Sequence, residues 1–247
     1  MRFTRNERSS ENTPKYQNTL LRTFDSELIA RLHLAPVAFK TGQKIEQPGK
    51  PIRYLYFLDS GMASMTTIFP GGTEVEVGMF GYESVIGVSA LMGIMQSLNH
   101  VYTQVAGTGW RCSYANALKE FSRFGVFHDL CLRYVQAQLL QSSQSAGCAA
   151  AHKYEQRLSR WLLITADRTH FDTFKMSQEF LSHMLGSTRS TVSVVASTLK
   201  KEGLIDYKRG VITILDRKGL EARSCVCYSI IRNYLANYEK FDTAHTA

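Results

Sequence analysis

Residues 185–205, LGSTRSTVSVVASTLKKEGLI, constrain the fold of this 247-residue chain more than any other segment. The middle of the segment is rich in Ser, Thr and Val, which disfavour helix. Its apolar residues nevertheless recur at i, i+3, i+4 and i+7, the spacing of one buried helical face, and do not alternate as in a strand. They are Val192, Val195, Ala196 and Leu199. We therefore predict an amphipathic helix whose exposed face carries short hydroxyl side chains.

A second short helix is predicted directly before this one. Ser177 is a good N-cap for QEFLSHML, and Gly186 can adopt the left-handed conformation that ends a helix. Thr188 is the candidate N-cap of the second helix. The following segment, GLIDYKRGVITILD, contains two strand-like runs separated by a basic turn. Two helices joined by a tight turn and followed by a hairpin predict a winged helix-turn-helix.

The charge and chemistry of this region favour DNA as the partner. Residues 187–218 contain seven Lys or Arg and three acidic residues, within a chain of net charge +8. Short hydroxyl side chains let a helix approach the duplex and donate to phosphates, and Arg189 can pair with guanine. A helix-turn-helix that binds no DNA is the alternative. The predicted DNA-binding residues are Ser177, Gln178, Ser187, Thr188, Arg189, Ser190, Thr191, Ser193, Lys208 and Arg209.

The first half of the chain has the pattern of an all-β domain. From residue 39 to about residue 114, Gly and Pro punctuate short apolar runs, and TEVEVGM alternates with period two. We expect a β-barrel or a double-sheet roll, preceded by an amphipathic helix or helix pair over residues 20–34.

One uncharged stretch, residues 84–110, superficially suggests a membrane span. Its apolar portion covers only residues 85–95, and a spanning helix needs about 20 apolar residues. We therefore expect this stretch to be buried core. The chain has five cysteines, an odd number without a framework pattern, and no secretory signal at its N-terminus, so we expect a cytoplasmic protein without membrane contact.

A long helix with two apolar edges is predicted between residues 128 and 151. Such a helix faces two surfaces, which we interpret as its own β-domain and a partner subunit; full enclosure within one chain is the alternative. Leu132, Val135 and Leu139 form one edge. The other edge is our predicted dimer interface and consists of Leu130, Tyr134, Ala137, Gln141, Gln144 and Cys148.

These patterns predict an α+β fold with a jelly-roll β-domain (a double-stranded β-helix), a long central helix and a C-terminal winged helix-turn-helix. The predicted divisions are a flexible arm (1–19), a β-roll with flanking helices (20–126), a dimerisation helix (127–151), a DNA-binding domain (152–236) and a tail (237–247).

In this order of elements the chain resembles the CRP/FNR family of bacterial transcription regulators over nearly its whole length. LYFLDSGMAS, GGTEVEV and FGYESVIG are similar to successive motifs of the family's β-roll, and EQRLSRWLL to the helix before its DNA-binding module. The resemblance implies a homodimer that places two recognition helices on an inverted repeat, with Arg189 at a base-reading position. Ser190 and Val194 replace an acidic and a basic residue of cyclic-AMP-responsive members, which implies a different base preference.

The sensory half departs from the pattern of cyclic-nucleotide-binding members. Those members have a Gly-Glu turn and, about ten residues later, an Arg that holds the phosphate; here SLNHVYT stands at the later position. Residues 54–110 contain no Lys or Arg, and burying a phosphate without a cation is costly. We predict that cyclic-nucleotide binding has been lost; a cyclic-nucleotide-responsive regulator with a rearranged phosphate site is the alternative. The effector-pocket positions that the resemblance implies are Gly81, Glu83, Ser84, Asn99 and His100.

We predict no cofactor and no metal. Iron–sulfur members need N-terminal cysteines, and residues 1–111 contain none; a haem ligand would have to be the lone His100. Cys225 and Cys227 are two thiols without two further ligands nearby, whereas zinc sites use four, so we interpret them as inert or redox-sensitive.

An enzyme is not predicted, because the chain has no nucleophile elbow, phosphate-binding Gly-Lys-Ser/Thr loop or HExxH motif. The expected partners are double-stranded DNA, a second copy of the chain and RNA polymerase. A neutral, apolar or peptide-like effector in the β-roll, or none, fits the composition best.

Overall fold

The structure is a computed structural model and describes residues 15–240. Its first half is a β-domain of two four-stranded antiparallel sheets. The strands are β1 (Ala35–Phe39), β2 (Lys44–Glu46), β3 (Tyr54–Leu58), β4 (Met62–Ile68), β5 (Glu74–Phe80), β6 (Val85–Ile86), β7 (His100–Val105) and β8 (Gly107–Ser113). One sheet has the order β1-β8-β3-β6 and the other the order β2-β7-β4-β5. This arrangement is the predicted double-sheet roll.

Nine helices in the described part of the chain surround and follow the roll. They are α1 (Thr19–Thr23), α2 (Ser26–Leu32), α3 (Tyr114–Phe121), α4 (Val126–Ala151), α5 (Tyr154–Thr169), α6 (Gln178–Leu185), α7 (Arg189–Lys201), α8 (Arg217–Arg223) and α9 (Cys227–Leu235). Short 3₁₀ helices cover Val88–Met92 and Tyr238–Lys240. Three further strands, β9 (Thr173–Lys175), β10 (Ile205–Lys208) and β11 (Val211–Ile214), form a small sheet in the order β10-β11-β9.

The α+β fold, with a β-domain, a long helix and a C-terminal helix-turn-helix, is confirmed. Two large hydrophobic clusters hold it together, one in the β-domain with its flanking helices and one in the C-terminal domain. The second cluster includes Met62 of β4 and Met79 of β5, so the C-terminal domain packs on the chain's own roll. The sequence patterns did not predict β9, because only three residues form it and it reads as a loop.

Both ends of the predicted domain division differ from the structure. Residues 1–14 of the predicted arm and residues 241–247 of the tail lie outside the described residues. Asn18, placed in the arm, is fully buried and caps α1, and its backbone N–H donates to Asp59. Tyr238, placed in the tail, is fully buried beside Tyr134. The attached part of the chain is therefore longer at both ends than expected.

The uncharged stretch is core only in its first part. Val85, Ile86 and Val88 are buried, whereas Ile94 and Met95 are about half exposed (58% and 45%). The prediction that the whole apolar segment is buried was therefore wrong beyond Leu91. Of the helices within residues 15–240, none combines the length and the apolar character needed to cross a membrane.

The long helix α4 has the two predicted faces, but the predicted dimer interface is turned inward. Leu130, Tyr134 and Ala137 belong to the core of the roll, and Gln141 donates to the carbonyl of Met79 at 3.1 Å. Cys148 is also buried, and Gln144 is half-buried. The chain itself therefore covers the five buried residues of this edge, which cannot face a partner subunit as predicted, whereas the half-buried Gln144 stays a predicted interface residue.

Candidate DNA-binding surface

The amphipathic helix predicted from residues 185–205 is present as α7. Its apolar face is buried as predicted, with Val192, Val195, Ala196 and Leu199 at most 4% exposed. Thr188 is the N-cap, and its hydroxyl accepts from the N–H of Thr191 at 3.2 Å. Burial of one face therefore outweighs the low helix propensity of the Ser/Thr/Val run.

A tight turn joins α6 to α7 at the position of Gly186. This glycine has φ 56° and ψ 46°, the left-handed conformation that glycine adopts without a steric penalty. Its N–H donates to carbonyls of the last turn of α6, and Ser177 caps the other end of α6. The two helices and this turn form the predicted helix-turn-helix.

The wing is a hairpin with a two-residue basic turn. β10 pairs with β11 through Lys208 and Val211, and Arg209 and Gly210 between them both have positive φ (52° and 74°). Two successive positive φ values are the signature of a type I′ hairpin turn. The turn projects Lys208 and Arg209 into solvent, where both side chains are exposed.

The start of α6, the start of α7 and the wing turn surround one open groove of about 450 Å³. Four predicted DNA-binding residues lie on it: Ser177, Gln178, Arg189 and Arg209. Thr188, Ser190 and Ser193 are exposed on the adjoining surface of α7, and Thr191 is half-buried there. Helix N-termini and Arg side chains around one groove are suited to phosphates and base edges.

Glu179 is an acidic residue of this groove that the sequence analysis did not single out. Its carboxylate forms an ion pair with Arg189, and both side chains are more than half exposed (55% and 62%). An exposed ion pair contributes only about 0–1 kcal/mol, so DNA can compete for the guanidinium. In the sequence, its position in the first turn of the predicted helix after Ser177 could have drawn attention to it.

Ser187 differs from its prediction. Its backbone N–H donates to Ser182 at 2.9 Å, and its hydroxyl oxygen is buried without a partner in the described residues. The Ser187 hydroxyl is therefore buried, unlike the exposed Thr188, Arg189 and Ser190 that follow it. Val194, in contrast, is 66% exposed on α7, an apolar side chain at the position where the resemblance implies a base contact.

The five predicted effector residues lie on two segments of the chain. Gly81, Glu83 and Ser84 form the turn after β5, whereas His100 begins β7 and pairs with Thr66 of β4. Asn99 is bonded to Ser97. The contacts described for Asn99 and His100 are thus with Ser97 and Thr66, and a pocket shared by all five residues stays a prediction.

The turn itself is occupied by a side chain from the DNA-binding domain. Arg168 of α5 donates its Nε to Glu83 at 2.7 Å and its Nη2 to Gln141 at 2.7 Å, and the Arg168 and Glu83 side chains are almost fully buried. A Cβ at Gly81 would lie only 2.6 Å from Cγ of Arg168, so only glycine fits there. Residues 54–110 contain no Lys or Arg, and the positive charge at this turn is therefore the guanidinium of Arg168 on α5, which is paired with the Glu83 carboxylate.

A cavity of about 650 Å³ lies beside this pair, between the β-domain, α5 and α9. Of the five predicted effector residues it contacts only Glu83. Arg22, Arg168, Arg217 and Arg232 contribute to its lining, together with Asp167 and Asp172. The cavity therefore has a mixed, strongly charged wall, unlike the neutral pocket expected from the roll sequence.

The interpretation of Cys225 and Cys227 as thiols without further ligands nearby was wrong. Cys148 at the end of α4 and His152, its C-cap residue, lie beside them, and the four ligand atoms are all within 4.8 Å of one another. The sequence carried no sign of this grouping, because the pairs are about 75 residues apart.

Comparison with known proteins agrees with this geometry. Residues 156–223 match the family described as the Crp-like helix-turn-helix domain. A protein named global nitrogen regulator, from Nostoc sp., is 28% identical over 190 residues, which cover 71% of this chain and 83% of that protein.

Two solved structures share the fold. The structure of a transcriptional regulator of the crp/fnr family from Eubacterium rectale gives a TM-score of 0.67 at 17% identity and covers 83% of this chain and 96% of that one. FixK2 from Bradyrhizobium japonicum also gives a TM-score of 0.67, at 14% identity, and covers 79% and 99%. The matches therefore show that residues 156–223 form a Crp-like helix-turn-helix domain, that the chain is similar in sequence to a global nitrogen regulator, and that it shares the fold of these solved regulators.

Proposed function

We propose that the chain acts as a homodimer that binds inverted-repeat operators, and that its β-roll no longer binds cyclic nucleotides. The observation that carries this proposal is the surface formed by α6, α7 and the wing turn, where exposed Arg189, Lys208 and Arg209 accompany two capped helix N-termini. RNA polymerase is an expected partner of such a regulator.

A different face of α4 supports dimerisation. On the side of α4 away from the buried edge, exposed residues recur at sequence spacings of four and three. This spacing is that of the contact seam in a two-stranded coiled coil. Leu132 and Leu139 are 39% and 66% exposed. The second half of the seam consists of small side chains that allow two helices to approach closely. The seam comprises Leu132, Gln136, Leu139, Ser143, Ala146 and Ala150.

A dimer through this seam accounts for the use of an inverted repeat. Parallel packing of two α4 helices relates the copies by a two-fold axis, so the two α7 helices are also two-fold related. Dimers of this kind contact half-sites about one helical turn of DNA apart, in successive major grooves. Arg189 would then read a base edge, while Lys208 and Arg209 contact phosphates.

The Arg168–Glu83 pair supports loss of cyclic-nucleotide binding. In this chain the carboxylate of the Gly81–Ser84 turn is already bonded to a buried guanidinium, and no Lys or Arg in residues 54–110 is available for a phosphate. Calorimetric titration with cyclic AMP and cyclic GMP distinguishes loss of cyclic-nucleotide binding from binding at a rearranged phosphate site. Micromolar binding of either nucleotide would favour the alternative, a sensor with a rearranged phosphate site.

Genome-wide mapping of DNA bound by the full chain tests the proposal. The expected motif is an inverted repeat with half-sites about 10 base pairs apart. An asymmetric single half-site would contradict the homodimer, and the absence of any enriched motif would contradict sequence-specific binding.

A further inference from the structure

A group of four side chains at the end of the central helix has no part in the DNA-binding surface. Cys148 lies in the last turn of α4, and His152, four residues later, is the C-cap of the same helix. Cys225 lies just before α9, and Cys227 is the first residue of α9. The three cysteines are at most 4% exposed and form a small buried cluster of their own.

The spacing of the ligand atoms fits one tetrahedral metal ion. With zinc–sulfur bonds of about 2.3 Å, neighbouring thiolates of a tetrahedral site lie about 3.8 Å apart. Sγ of Cys148 is 3.5 Å from Sγ of Cys225, and Sγ of Cys227 is 3.7 Å from Nδ1 of His152. All four ligand atoms lie within 4.8 Å of one another, so they leave room for a single ion rather than a multinuclear cluster.

The nature of the ligands selects the metal. Three thiolates and one imidazole are soft and borderline donors, which zinc prefers and Mg²⁺ or Ca²⁺ avoid. Three thiolates and one Zn²⁺ leave a net negative charge, and the guanidinium of Arg160 lies close enough to interact with all three cysteines. A nearby cation offsets that charge in a buried site.

We propose that Cys148, His152, Cys225 and Cys227 form a structural zinc site of the Cys₃His type. Binding releases the thiol protons to solvent and involves no redox step. The ion would join the C-terminal end of α4 to the chain between α8 and the first residue of α9. It would therefore fix the C-terminal helices of the DNA-binding domain to the central helix.

The alternative use of these thiols is a disulfide. All five cysteines are free in the structure. The Sγ atoms of Cys148 and Cys225 are 3.5 Å apart, well beyond the S–S bond length of about 2.05 Å, so a disulfide between them would require the side chains to move.

Metal analysis of the full chain, purified reduced and without chelator from zinc-replete cells, tests the proposal directly. We expect about one zinc ion per chain. Replacing zinc with Co²⁺ should produce thiolate-to-cobalt charge-transfer absorption and the intense ligand-field bands of tetrahedral coordination. Chain that contains no zinc and gives only the weak spectrum of octahedral Co²⁺ would overturn the proposal. So would an iron–sulfur chromophore, or a Cys148–Cys225 disulfide in the reduced preparation.

Variants then assign the ligands. Cys225→Ser combined with Cys227→Ser should abolish the tetrahedral Co²⁺ bands and the zinc content. Cys131→Ala, which removes a buried thiol outside the group, should retain both. Retention of stoichiometric zinc by the double variant would overturn the assignment. If the double variant does not fold, zinc content and the Co²⁺ spectrum of the wild-type chain decide the question alone, and neither depends on DNA binding.

Discussion

Arg168 and Glu83 form an ion pair, with Nε and Oε1 2.7 Å apart, that joins the DNA-binding domain to the β-domain in the interior of the molecule. The two side chains are 3% and 6% exposed. Removing one partner leaves a buried charge without compensation. We expect Arg168→Met to lower the free energy of unfolding by about 3–5 kcal/mol, measured by urea denaturation.

A double-mutant cycle separates the pair from simple packing. Arg168→Met combined with Glu83→Gln removes both charges, so the double variant should be more stable than Arg168→Met alone. Additive losses from the two single variants would show that the ion pair makes no specific contribution.

Glu76 should make stability depend on pH. Its carboxylate is enclosed between Ser64 and Nε1 of Trp161 on α5, and burial raises its pKa from 4.5 to about 7 although both neighbours donate hydrogen bonds. Because the folded-state pKa is above the unfolded value, folding favours the protonated form. The stabilisation is complete below the unfolded pKa and is lost as pH rises through about 7.

Glu76→Gln replaces the carboxyl group by a neutral group of similar shape and should remove this dependence. Relative to the wild type, the variant should gain up to about 3 kcal/mol in the free energy of unfolding between about pH 4 and about pH 8. Glu27→Gln on α2, where the side chain is 87% exposed, is the control. A constant difference between Glu76→Gln and wild type across this range would contradict the account.

The seam on α4 predicts a charge substitution that separates the dimer. Leu139→Glu places two carboxylates at the two-fold interface, so sedimentation should show monomers or a dissociation constant raised at least about 100-fold. Leu215→Glu is the matched control, since Leu215 is similarly exposed (60%, against 66% for Leu139) but lies outside α4. If Leu139→Glu remains as dimeric as Leu215→Glu, the seam is not the interface.

The wing turn should contribute to binding of all DNA sequences. Lys208→Ala and Arg209→Asn each remove one of the phosphate contacts that we propose; Asn suits position 209 because φ is 52° there. Each substitution should flatten the slope of log K against log salt by about 1 and weaken operator and random duplexes similarly. Lys119→Ala, on α3 of the β-domain, should leave the slope unchanged. A loss confined to the operator would instead indicate base reading by the wing.

Local sequence patterns predicted the helices and strands of the winged helix-turn-helix well. The features that they missed depend on contacts between distant segments of the chain. The periodicity of Val192 and Leu199 and the turn at Gly186 specify α6 and α7 without outside information. On α4, periodicity identified two apolar edges but could not tell which one the roll covers. Arg168 reaches Glu83 across 85 residues, and Cys148 meets Cys225 across 77, which no local pattern encodes.

The affinity of Arg189→Ala for the operator tests the central claim most directly. Fluorescence anisotropy on the mapped operator and on a scrambled duplex, at one salt concentration, compares it with wild type and with Arg123→Ala. Arg123 is a suitable control, because it is similarly exposed (60%) and also ion-paired but belongs to the β-domain side of the chain. We predict that Arg189→Ala loses about 1–3 kcal/mol, roughly 5- to 150-fold, on the operator and much less on the scrambled duplex. Wild-type affinity of Arg189→Ala for the operator would contradict the assignment of α7 as the recognition helix.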